Sequence, residues 1–241
     1  GASDIFYGNN HKKIKEELIS ECDLSNTSER GFYNEIEIEK ILYKLNEEIE
    51  EFENDLAGVR EEEKHLHRII LRLFIKLTLI APAKRSIVTS IKKSDITEEY
   101  KNLLINGISV NIPCGLSRDI YAALKYAETK NGELIKENDN IFEYLYRCKG
   151  KFADTFLNGW FYNAAKDSKV LKNERKNKKT LPVEPIRNMV IHTMIENKVD
   201  PIAVSDITGL GLNSLEKIYR EYKIDSGEEI NKINLKLRNW A

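Results

Sequence analysis

The sequence predicts a mainly α-helical fold with one small antiparallel β-sheet, an α+β architecture. Two observations carry this. Apolar residues recur at helical spacing along most of the chain, and one strong hairpin signal, Asn106-Gly107 between two short apolar runs, interrupts them. No internal repeat is visible. A chain of 241 residues, 41% of them hydrophobic, is large enough for one sizeable core, either as a single domain or as a domain with an N-terminal extension.

Taken in order, residues 1–30 are polar and read as a tail or linker around a short helix near Lys12 to Ser20. Gly1-Ala2-Ser3 reads as a cloning remnant. From Asn34 to Glu53, Ile36, Ile38, Ile41, Leu42, Leu45, Ile49 and Phe52 recur at largely helical spacing and predict an amphipathic helix on an acidic background. Leu66, Ile69, Ile70, Leu73, Phe74 and Leu77 predict a second helix, from about Glu61 to Leu79, running through the core. Pro82 stops it. A short helix over Arg85 to Ile91 follows, then the hairpin from Leu103 to Val110. Further helices are expected at Ser117–Thr129, Ile141–Arg147 and Lys151–Lys166. After the basic linker 166–180 come helices at Pro185–Asn197, Pro201–Thr208 and Ser214–Tyr222, and a last one within Glu228 to Trp240.

Composition excludes several classes. A formal net charge of −1 means that any polyanion partner must be held by a local basic surface. Three widely spaced cysteines and four histidines form neither a disulfide framework nor a zinc pattern, and His65 and His67, two residues apart, do not share a helix face. No metal or other cofactor is expected. No signal peptide or membrane-spanning run is visible, which suits a reduced, cytoplasmic protein.

The C-terminal third carries the functional signal. Glu184-Pro185-Ile186-Arg187 opens a helix, Gly209-Leu210 follows about twenty residues later, and Tyr219 lies nine residues beyond Leu210. Upstream lie Lys84-Arg85, Ser94-Asp95-Ile96, the Asn106-Gly107 hairpin with Asn111-Ile112-Pro113, and the turn Glu196-Asn197-Lys198-Val199-Asp200. Their order resembles the tyrosine recombinase (phage integrase) catalytic domain over roughly residues 30–225. The resemblance implies residues 1–30 as an N-terminal tail, 31–225 as the catalytic domain and 226–241 as a helical tail. It also implies that the family's N-terminal core-binding domain is absent or reduced to the tail.

In that family a tyrosine attacks a DNA phosphodiester without metal or ATP and leaves a 3′-phosphotyrosine. A phenol with a pKa near ~10 needs help to do so. Two arginines clamp the oxygens on which charge develops, a lysine on the hairpin turn protonates the leaving 5′-oxygen, and histidines move protons. The resemblance therefore makes Tyr219 the candidate nucleophile and Arg187 a phosphate clamp, with Lys84 or Arg85 supplying the first positive charge. Lys101, at the hairpin base, is the nearest stand-in for the turn lysine. Glu184 replaces a histidine and Leu210 a hydrogen-bond donor, and losing one preorganised donor commonly costs about 10²–10³ in rate. A lysine at position 84 would act as a point charge without the guanidinium fork.

The basic linker adds Lys169, Lys172, Arg175, Lys176, Lys178 and Lys179 as candidate contacts to the backbone of double-stranded DNA. The expected function is DNA strand cleavage or transfer in a mobile element, as an integrase or a plasmid-transfer relaxase, with protein partners or self-association on DNA. The alternative is a catalytically degenerate DNA-binding module that keeps the fold. His192 reads as a core histidine, and Arg187 as a salt-bridge partner of Glu184 where it is not a clamp.

Overall fold

The computed structural model describes residues 33–54, 59–97, 99–171 and 179–221, with the side chains of 53–54, 59–61 and 219–221 left aside. The chain divides into Gly1–Gly31, which lies outside the described residues, and Phe32–Ala241. The expected helices at Lys12–Ser20 and Glu228–Trp240 also fall outside them.

Helix α1 (Glu35–Asn54) starts where Asn34 and Glu37 form a reciprocal cap, with the Glu37 N–H donating to Asn34 Oδ1 at 2.8 Å and the Asn34 N–H to Glu37 Oε2 at 3.2 Å. Its Ile38, Ile41, Leu45 and Ile49 are buried against α2 (Val59–Ile80), the central helix, which also packs on five later helices. Ile36, part of the same sequence pattern, is left exposed. Burial of Leu71 and Ile75 beside the expected Leu66, Ile69, Ile70, Leu73, Phe74 and Leu77 shows that α2 is enclosed on most sides. The two cations in this apolar run, Arg72 and Lys76, both pair with Asp119.

Helix α3 covers only Arg85–Val88, shorter than expected, because the chain turns into a 3₁₀ segment at Lys93–Asp95. Strands β1 (Ile96–Thr97), β2 (Asn102–Ile105) and β3 (Ile108–Asn111) form an antiparallel meander in the order β1-β2-β3, with Leu103 opposite Val110 and Ile105 opposite Ile108. Periodicity did not reveal β1, since two residues carry none. Asn106 and Gly107 both have positive φ, 50° and 79°, as the two-residue turn requires.

Helix α4 (Cys114–Asn131) ends on Gly132, whose φ of 70° closes the helix. Asn140 caps α5 (Ile141–Tyr146) by accepting from the Glu143 N–H at 3.0 Å. Helix α6 (Phe156–Asp167) starts five residues later than its apolar pattern predicts, after an Ala153–Asp154–Thr155 turn. Helix α7 (Glu184–Glu196) has Pro185 in its first turn, α8 (Pro201–Thr208) is capped by Asp200 and stopped by Gly209, and α9 spans Leu212–Glu221.

Two separate clusters of buried side chains result. The larger runs from Tyr33 through α2, the sheet and α6 to Met189. The smaller comprises Ile191, Ile195, Val204, Leu215 and Ile218, with Met194 and Leu210 against it. No described helix is long and apolar enough to cross a membrane.

Candidate functional site

Four segments far apart in sequence meet at the start of α3. The Lys84 N–H donates to the Thr208 carbonyl at 3.1 Å, tying α3 to the end of α8. The hairpin tip reaches the same place, where Asn106 Nδ2 donates to the Ile207 carbonyl at 3.0 Å. Arg85 Nη1 lies 3.1 Å from Glu184 Oε1, joining α3 to the first turn of α7. Gly209 is required at this junction, because its φ is +64° and a Cβ there would come within 2.8 Å of Ile87 Cδ1.

The two arginines of the resemblance differ in what holds them. Arg85 Nε donates to Asp154 Oδ2 at 3.0 Å, Nη1 donates to Asn158 Oδ1 at 3.3 Å, and the Glu184 carboxylate forms an ion pair with Nη1. Two carboxylates therefore offset its charge. Arg187, one helical turn beyond Glu184, is half-buried and hydrogen-bonds only Asn188 Oδ1, from Nε at 3.3 Å and Nη2 at 3.1 Å. It has no carboxylate partner among the described residues. Burial lowers its pKa and the charge on Glu184 opposes this. A guanidinium stays protonated under such a shift, so Arg187 is a partly desolvated cation with three N–H groups unused by described residues. The sequence expectation of a Glu184–Arg187 ion pair is corrected: Glu184 pairs with Arg85.

Lys84 is exposed and its ammonium makes no ion pair among the described residues, so it adds a charge beside Arg85. Asp154 and Asn158 were not anticipated. They lie some seventy residues from Arg85, and only the packing of α6 brings them to it.

At the hairpin tip, where the family's lysine would be, the polar group is the Asn106 amide. Lys101 is exposed at the other end of β2, five residues away, or roughly 17 Å of extended chain. Leu210 belongs to a tight turn. Its N–H donates to Thr208 Oγ1 at 3.2 Å, its carbonyl accepts from Ser205 Oγ at 2.7 Å, and its side chain packs on the small core. Tyr219 belongs to α9, one turn beyond the buried Leu215, and its side chain lies outside the described residues. Through Leu215 and Ile218, α9 is packed on α7 and α8.

Of the basic linker, Lys169 is exposed in the turn after α6 with φ +59°, and Lys179 is exposed before α7. Lys172, Arg175, Lys176 and Lys178 lie outside the described residues. His192, expected in the core, is only partly buried, and its Nε2 lies 3.2 Å from Glu196 Oε1 one turn on, while Ile191 and Ile195 take the buried positions. His65 is the core histidine instead, stacked on Phe52 with ring centroids 4.0 Å apart.

No protein-family model matches the sequence, and no curated protein matches it either. The fold itself is that of the tyrosine recombinases. The chain is similar to the XerA recombinase, with a TM-score of 0.51 and 10% identity over 86% of this chain and 63% of that one. It is also similar to the XerH site-specific recombinase bound to its difH substrate. The post-cleavage complex gives a TM-score of 0.53 at 18% identity over 84% of this chain and 52% of that one. The pre-cleavage complex gives 0.52 at 17% identity over 83% and 52%. The chain thus spans between about half and just under two-thirds of the length of these proteins.

Proposed function

We propose that this chain is a DNA-binding domain with a recombinase fold, gripping the phosphate backbone of duplex DNA where the starts of α3 and α7 meet. The observation that carries the reading is Arg187, a half-buried guanidinium without a carboxylate partner among the described residues. Such a group gains from an anion that satisfies its remaining donors. Lys84 adds a second exposed charge at the seam, and Lys169 and Lys179 begin and end a basic run that would follow the backbone. Lys101, at the far end of β2, would touch DNA away from this seam. The XerH structures, a recombinase on its DNA substrate, share the fold in which the seam is built.

Titration of fluorescent AT-rich duplexes at several salt concentrations tests this. Arg187→Ala and Lys84→Ala should each weaken binding and reduce the slope of log K against log salt by about 0.9. Unchanged affinity in both variants would sink the reading.

A second reading, strand cleavage through a 3′-phosphotyrosine at Tyr219 in an integrase or a plasmid-transfer relaxase, is favoured by one observation: α9 is packed against the helix that carries Arg187. A relaxase needs one strand cut rather than four exchanged in order, so it tolerates a thinner set of helpers. Nicked suicide duplexes tiled across the protein's native locus should then yield an SDS-resistant adduct that Tyr219→Phe abolishes. Tight, sequence-selective binding with no adduct would leave the binding role alone standing.

A further inference from the structure

We infer that the Glu184 carboxylate occupies the seat of a DNA phosphate between Arg85 and Arg187, and that DNA binding displaces it. This rests on the phosphate-gripping role proposed above. Three observations lead to it. First, Arg85 is braced from two directions. Asp154 and Asn158, at the approach to α6 and in its first turn, hold the Nε edge and one Nη1 hydrogen, while Glu184 reaches Nη1 from α7. Removing Glu184 therefore leaves the guanidinium oriented. Second, Arg187 follows Glu184 by three residues on the same face of α7 and forms no ion pair with it, so the carboxylate that meets Arg85 stands one helical turn from a second guanidinium. Third, its side chain is 37% exposed, so it can swing into water when a stronger anion arrives.

The electrostatics decide the direction of the effect. At the seam Asp154 and Glu184 both lie against Arg85, and their two negative charges outweigh its one positive charge. A phosphate approaching Arg187 is repelled by Glu184 until that side chain leaves. Once it leaves, Arg85 Nη1 turns from an internal partner into a second phosphate donor, and Asp154 serves as a positioning residue that keeps the fork aimed. Glu184 thus sets a threshold for binding that a neutral or donating side chain at the same place would lack.

The test uses the full chain, a fluorescent AT-rich duplex and a salt series, with thermal melting to verify that each variant is folded. Glu184→Gln, which keeps the shape and removes the charge, should tighten binding about three- to tenfold. It should also steepen the salt dependence by up to about one counterion. Glu184→Asp, still anionic, should stay near the parent affinity. The deciding measurement is the same substitution in an Arg85→Ala background, where the gain should shrink, because only the relief of repulsion at Arg187 remains and the second phosphate donor is gone. Equal gains with and without Arg85 would mean that any lost negative charge helps, and the displaced-seat inference would be overturned. No gain in Glu184→Gln, alongside weakened Arg187→Ala and Lys84→Ala, would overturn it while leaving the DNA-binding reading intact. If Arg187→Ala and Lys84→Ala bind like the parent, the DNA-binding reading itself fails.

Discussion

The two hydrophobic clusters are built on different scales. The larger is filled by aromatics and long aliphatics, including Tyr33, Phe74, Phe142, Tyr144 and Phe161, all nearly fully buried, and spans helices from α1 to α7. Among the described residues the smaller has five buried side chains, none aromatic, and meets α9 at Leu215 and Ile218. The helix bearing Tyr219 buries two apolar side chains among the described residues, Leu215 and Ile218, in the small cluster. Lys84 and Arg85 thus sit on the large cluster, Arg187 on a helix shared by both, and Tyr219 on a helix packed on the small one.

That contrast can be broken most decisively in the large core. Phe74→Ala should cost about 3–5 kcal/mol of global stability, whereas Ile218→Ala, at the edge of the small core, should cost about 2 and raise amide exchange mainly in α8 and α9. Chemical denaturation and residue-resolved hydrogen exchange separate the two. An equal loss of global stability from Ile218→Ala would show that the clusters unfold as one unit.

Acid should act on the large core through His65. Burial, aided by the nearby Arg68 and Arg72 charges and opposed by Glu62, pushes the His65 pKa from 6.5 down to about 4. Its Nδ1 is buried without a hydrogen-bond partner, as suits a neutral ring. The unfolded chain binds a proton that the folded chain refuses as pH falls from 6.5 towards about 4, so stability is full above that window and declines through it. The decline attributable to His65 should reach about 3 kcal/mol at most. His65→Phe, which keeps the stack on Phe52, should flatten the profile of melting temperature against pH; an unchanged profile would assign the acid sensitivity elsewhere.

The junction between the clusters is the next place to press. Gly209→Ala forces an L side chain into a left-handed conformation, at about 1–2 kcal/mol, and pushes on Ile87. It should loosen α8 and α9 relative to α3, visible as faster exchange at Lys84 and Leu210. The smallest effect belongs to Asn106→Ala, which removes the tip-to-Ile207 hydrogen bond and should cost about 1 kcal/mol. A neutral result there would mean that the hairpin is held by its strands and not by its tip.

Much of this was legible in the sequence where the signal is local. The span of α8, Pro201–Thr208, follows from an Asp cap, a Pro at the first position and a Gly stop, and the Asn106-Gly107 turn follows from the one geometry those residues favour. The order of the blocks pointed to the fold. Partnerships were not legible: that Glu184 serves Arg85 rather than Arg187, that Asp154 joins them, and that His192 is only partly buried while His65 is enclosed. For α6, the apolar pattern ran ahead of the helix because Phe152 is buried from a loop.

Local sequence determined which segments are helices, where the hairpin turns, and which residues carry charge, since backbone sterics and side-chain periodicity act over a few residues. Tertiary packing alone decided which of those charges are neutralised. An ion pair depends on distances of a few ångströms between groups some thirty to a hundred residues apart, and the sequence contains no measure of that distance. The packing of α3 against α6, α7 and the end of α8 leaves Arg187 and Lys84 without carboxylate partners among the described residues and gives two carboxylates to Arg85.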